Sequence, residues 1–106
     1  MSFEFKKGVL LRKDSTQMQP VIVEAIATVA HIYSEFNQKL VVTSVVDGVH
    51  SKNSLHYKGL AFDTRIWYFS EEVVQEVKTC LEIALGKDFD VVLESTHFHL
   101  EYDPEK

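Results

Sequence analysis

Two short stretches hold most of the side chains that could do chemistry. One is Ser54-Leu55-His56-Tyr57-Lys58-Gly59-Leu60-Ala61-Phe62-Asp63, and the other, near the far end, is His97-Phe98-His99. An imidazole, a carboxylate and a second imidazole make up the donor set of a zinc ion that keeps one coordination position open for water. That is the catalytic pattern, whereas structural sites are closed by four protein ligands. The single cysteine, Cys80, is remote in sequence from both stretches, which argues against a thiolate-rich structural site. The residues read first as a hydrolytic metal site. Zinc is the expected metal, ahead of manganese and iron, which histidine and carboxylate ligands also accommodate.

The spacing limits how these residues meet. His56 and Asp63 are seven positions apart, too far for one helical turn or for alternate positions on one strand. A chain that enters at His56, turns at Gly59 and returns on a strand at Asp63 meets that spacing, because glycine tolerates φ > 0. Ala61 is small enough to let backbone approach closely. His97 and His99 are two apart, so on a strand both rings face the same way, and Glu101 continues that face. From there Glu101 is placed to orient a ligand imidazole through its other nitrogen.

The elements needed to position these residues are also legible. Apolar residues recur as Val21, Ile22, Ala25, Ile26, Val29, Ile32, Tyr33 and Phe36, one face of an amphipathic helix over about 17–37. Asp14, Ser15 and Thr16 offer N-cap oxygens, and Pro20 fits a first turn. A short strand or extended lead-in is expected over 8–12. The β-branched run over 40–46 predicts a strand ended by Asp47-Gly48, with a polar loop through Asn53. Positions 60–67 alternate as a strand with Asp63 and Arg65 on one face. Ser70 caps a second helix with Glu71 and Glu72 in its first turn, a buried stripe of Val73, Val77, Leu81, Ala84 and Leu85, and a stop at Gly86. Two strands, 89–94 and 97–102, follow, joined by a tight turn at Ser95-Thr96. The order predicts an α+β fold with a small, mostly antiparallel sheet and two main helices, in a single domain over 1–106.

Composition narrows the partners. The chain has 106 residues, 45% hydrophobic and 25% charged, enough for one core. A formal charge of -5 argues against a nucleic-acid binder, whose phosphate contacts need clustered Lys and Arg. Lys6, Lys7, Arg12 and Lys13 read as a solvated edge. No apolar run is long enough to span a bilayer, so no membrane partner is expected. The first residues lack the apolar core of a signal peptide, which predicts a protein that is cytoplasmic at synthesis.

The pattern Ser54-x-His56-x-x-Gly59-x-Ala61-x-Asp63 followed by His97-x-His99 resembles the motif pair of the D-alanyl-D-alanine carboxypeptidase family of zinc peptidases. That family includes phage endolysins, vancomycin-resistance dipeptidases and the hedgehog signalling domain. The wording around both motifs is most similar to small phage and prophage members, and the paired motif is more specific than either half. The resemblance implies a hedgehog/DD-peptidase-like fold, with His56, Asp63 and His99 binding Zn2+ and His97 beside the metal. Many members carry an acidic general base three residues before the last ligand, where this chain has Thr96. That leaves Glu94 and His97 as candidates for the catalytic base. Members also often place an arginine ahead of the first ligand; none occurs over 44–53, which leaves His50, Lys52 and Arg65 as candidate substrate-binding cations.

The expectation is therefore a zinc metallopeptidase hydrolysing the D-amino-acid-containing stem peptides of peptidoglycan, as a carboxypeptidase or endopeptidase. A phage-encoded enzyme of this kind would be released at lysis or carried in a virion. The alternative is a non-catalytic zinc-binding module or virion structural component on the same fold, favoured by Thr96. Several of these side chains also have purely structural roles open to them. His31 is a helix-flank residue, His50 a loop side chain, Glu94 a strand-end carboxylate and Arg65 an ion-pair partner. Trp67, Tyr68 and Phe69 read as core and rim, and Cys80 as a small buried hydrophobe.

Overall fold

The computed structural model describes residues 3–6, 20–47 and 60–104. Seven elements follow in order: β1 (Phe3–Phe5), α1 (Pro20–Glu35), β2 (Leu40–Asp47), β3 (Leu60–Arg65), α2 (Glu71–Leu85), β4 (Phe89–Leu93) and β5 (His97–Tyr102). The strands form one sheet in the order β1-β2-β3-β5-β4. β1 runs parallel to β2, and every other neighbouring pair is antiparallel. The fold is α+β, with two helices and a mostly antiparallel five-stranded sheet. The expected lead-in strand over 8–12 and the caps Asp14, Ser15 and Thr16 lie outside the described residues. β1 has no counterpart in the sequence reading: three residues are too few to show an alternating pattern.

Both helices pack on one face of the sheet. Ile22, Ala25, Ile26, Val29, Ile32 and Tyr33 of α1 meet Leu40, Val42, Leu60, Phe62, Phe98 and Leu100 of the strands in a single core. Pro20 opens α1, where a missing amide hydrogen removes no helical bond. On α2, Ser70 accepts a hydrogen bond from the Val73 amide at 3.2 Å. Gly86, at φ 78°, ends the helix, and its amide donates to the Glu82 carbonyl. The buried stripe of α2 is Val74, Val77 and Leu81. Val73 is only partly buried and Ala84 is exposed, because at about 100° per residue both fall on the flank of that stripe.

Strand alternation turns the chemistry to the opposite face. Leu60, Phe62 and Thr64 of β3 are buried, while Asp63 and Arg65 are half-buried on the other side. On β5, Phe98 and Leu100 enter the core, and His97, His99 and Glu101 face away from it. β3 ends at Arg65 rather than Trp67, where the chain turns and the Phe69 amide donates to the Ile66 carbonyl. β4 likewise ends at Leu93, and the Glu94 amide donates to the His97 carbonyl across the turn.

Candidate metal centre

The site is built by register. β3 and β5 pair directly as Ala61↔Glu101, Asp63↔His99 and Arg65↔His97, so alternate residues of both strands share the face away from the helices. On the other side of β3, β2 carries one extra residue between Val42 and Ser44, which sets Ser44 opposite Asp63. A bulge of this kind re-aims side chains beside a site while leaving the flanking strand paired.

The core holds β3 from behind. Tyr33, fully buried, donates its hydroxyl proton to the Arg65 carbonyl at 2.8 Å, and its oxygen lies 2.9 Å from the Thr64 hydroxyl. The tyrosine proton is thus committed to the carbonyl, so Thr64 is the donor in their mutual bond. Thr64 is the one buried polar residue among those described, and it lies between Asp63 and Arg65 on the opposite face. Burial pushes the Tyr33 pKa well up, so the phenol stays neutral and the anchor persists. Tyr68 secures the adjoining turn by donating to the Lys39 carbonyl at 2.8 Å. Burial pushes its pKa up to about 12, against the opposing charge of Arg65.

Four titratable side chains meet on the open face. Asp63 Oδ1 lies 2.8 Å from His99 Nδ1, and Glu101 Oε1 lies 3.1 Å from His99 Nε2. His97 Nε2 is 3.7 Å from Asp63 Oδ2, and its Nδ1 is 2.9 Å from the Thr96 hydroxyl. Asp63 is 22% exposed and His99 33%, so solvent reaches both. Burial lowers the His99 pKa, but the hydrogen bonds and charges of Asp63 and Glu101 outweigh it and raise the pKa above the ordinary histidine value. With a carboxylate on each nitrogen, the ring is satisfied as a doubly protonated cation.

That arrangement also shows how the residues fit a metal. Among the described residues, no group of three or more His, Cys, Asp and Glu is placed to hold a metal ion. The two carboxylates flank opposite nitrogens of His99, so the three groups do not surround a common point. Asp63 Oδ1 and His99 Nδ1 do converge, as two adjacent ligands must, and Glu101 sits where it would accept from Nε2–H. A complete site needs further donors. His56, which the resemblance assigns as a ligand, lies outside the described residues, as do His50 and Lys52.

The remaining candidates separate. Arg65 shares the face with Asp63 and stacks its guanidinium 5.0 Å from the centre of the Trp67 ring. Glu94 is exposed and borders a cavity beside α2 that Thr96 also lines. His31 is exposed beside Glu35 at 3.8 Å, and Cys80 packs against the core from its edge. A second cavity of about 520 Å³ opens next to the cluster, with His99 and Glu101 in one wall and Glu82, Lys87 and Asp90 in the other.

Sequence reasoning passed over the Tyr33–Thr64 anchor, because Tyr33 reads simply as part of an apolar stripe. It also missed the Thr96–His97 bond, since Thr96 stood out only as the place where an acid was expected. No family model, curated protein or solved structure matches the chain.

Proposed function

We propose that this chain is a zinc-dependent peptidase of the hedgehog/DD-peptidase type that hydrolyses peptidoglycan stem peptides. One observation carries the reading: Asp63 and His99, which the paired motif assigns as ligands, are in register on neighbouring strands with donor atoms 2.8 Å apart. His56, Asp63 and His99 would hold the metal. Bound zinc would polarise the scissile carbonyl and acidify a water.

The chain's own residues would do the rest. Glu101 holds the far nitrogen of His99 and so fixes the ring's direction. Thr96 engages His97 at Nδ1, which leaves Nε2 toward Asp63 and the solvent as the atom able to take and return a proton. His97 is therefore a better base candidate than Glu94, whose carboxylate borders the cavity beside α2. Arg65, stacked on Trp67, would present positive charge at the same end of the sheet. His50 and Lys52 are further candidate cations for the substrate.

A second reading keeps the zinc and omits the chemistry: a binding module or virion component on the same fold. Thr96 favours it, because a hydroxyl cannot serve as a base at neutral pH. Cleavage of purified muropeptides by zinc-loaded protein, with and without chelator, separates the two. Chelator-sensitive release of D-alanine or peptide, abolished in His56→Ala, supports the peptidase. Zinc bound at one per chain with no cleavage of any stem peptide supports the module.

A further inference from the structure

We propose that the cavity between the start of α2 and the β4–β5 turn is a subsite for a primary ammonium on an aliphatic stem, as a lysyl side chain of a peptide presents. The cavity measures about 330 Å³, within the range of small-ligand pockets. Its apolar lining comes from Ile66, Val74 and Leu93, with Ile66 and Val74 almost fully buried. Glu71 and Glu94 line it with exposed carboxylates, and no Lys, Arg or His is among the lining residues. An aliphatic chain therefore finds apolar surface, and a positive charge at its end finds two carboxylates. An anion would meet like charge on both, and a purely apolar ligand would use only the lining.

Two features set the shape and charge of this cavity. Trp67, 76% exposed, forms one wall, and the Arg65 guanidinium lies 5.0 Å from the centre of its ring. Glu71 lies in the first turn of α2, where the helix dipole favours its ionised form. Ammonium suits the site better than guanidinium, being a compact charge with three rotatable donors rather than a planar fork. Ser95 and Thr96 add hydroxyl oxygens to the same lining.

The cavity is joined to the metal-ligand cluster by Thr96, which lines the cavity and bonds His97. The ligand chemistry of the cavity stands apart from the peptidase reading.

The test titrates N-acetyl-lysine amide and N-acetyl-norleucine amide into the full chain and follows the Trp67 indole and the Ile66 and Val74 methyls by NMR. Saturable shifts are expected with the lysine probe, with norleucine weaker by about ten-fold or more. Glu71→Gln should weaken the lysine probe several-fold while leaving norleucine unchanged. Equal affinity for the two probes, or no shift at tens of millimolar, would overturn the proposal. Neither probe can be cleaved at a peptide bond between residues, so failure here is separate from failure of the peptidase reading.

Discussion

Asp63 and His99 lie opposite one another on β3 and β5, with Oδ1 and Nδ1 2.8 Å apart although 36 residues separate them in sequence. Glu101, two residues along the same strand face, takes the other nitrogen of the same ring at 3.1 Å. His99 is thus bracketed by two carboxylates, and any cation that binds at Nδ1 must displace a proton. Asp63→Asn removes one bracket and the stronger of the two contacts. The His99 pKa should then fall toward the ordinary value of about 6.5, as followed by NMR titration of its ring protons. An unchanged pKa would mean that Asp63 does not govern that ring.

The same raised pKa makes stability depend on pH. A histidine whose folded pKa exceeds its unfolded one contributes stability that is fully present below about pH 6.5 and fades as pH rises through the folded value. Solvent reaches His99, so the effect is modest. Metal-free protein should show a small fall in urea midpoint across that window, and His99→Gln should flatten it. A midpoint that rose with pH in the wild type, and not in the variant, would reverse the assignment.

Behind the site, Tyr33→Phe leaves the Thr64 hydroxyl and the Arg65 carbonyl without their buried partner. A destabilisation of about 1–3 kcal/mol is expected from urea unfolding. Because the same bonds hold the strand that carries Asp63, the zinc reading predicts a weaker zinc affinity as well. A variant as stable as wild type would show that the anchor contributes little.

At α2, Ser70→Ala removes the side-chain acceptor of the Val73 amide and should lower stability by about 1 kcal/mol. Glu101→Gln offers a contrast. Its side chain is partly exposed, so stability should barely change, while under the zinc reading metal affinity falls by about 10–100-fold through loss of the carboxylate on Nε2. Thermal unfolding and metal titration of both variants test this division of labour.

Thr96 separates the two functional readings. Thr96→Val removes the Nδ1 partner of His97, and under the peptidase reading hydrolysis should drop while zinc binding persists. Thr96→Glu should create activity only if the native chain lacks a base. Peptide cleavage by both variants, with zinc content measured alongside, distinguishes these outcomes.

Much of this architecture was legible because local and global signals agree. The Ser70 cap, the Gly86 stop, the alternation through Asp63 and Arg65 and the shared face of His97 and His99 each follow from a periodicity or a cap that tertiary packing did not override. The pairing of Asp63 with His99 was not legible as geometry, since register is a long-range property set by how β5 inserts between β3 and β4. The bulge at Thr43 was hidden for the same reason, because a β-branched run reads identically with or without an extra residue. The roles of Tyr33 and Thr96 depend on single hydroxyl contacts that no spacing rule encodes. The contact of Arg65 with the Trp67 ring, two residues away, is not encoded in the alternation that places Arg65 beside Asp63.

Whether Asp63 and His99 hold zinc together with His56 is decided by calorimetric titration of zinc into metal-free protein and into Asp63→Ala, His99→Ala and His56→Ala. One zinc per wild-type chain is expected, with proton release on binding because His99 must give up its Nδ1 proton, and with loss of at least about 100-fold in affinity for each variant that retains its circular dichroism. No stoichiometric binding, or binding that survives all three substitutions in folded protein, would contradict it.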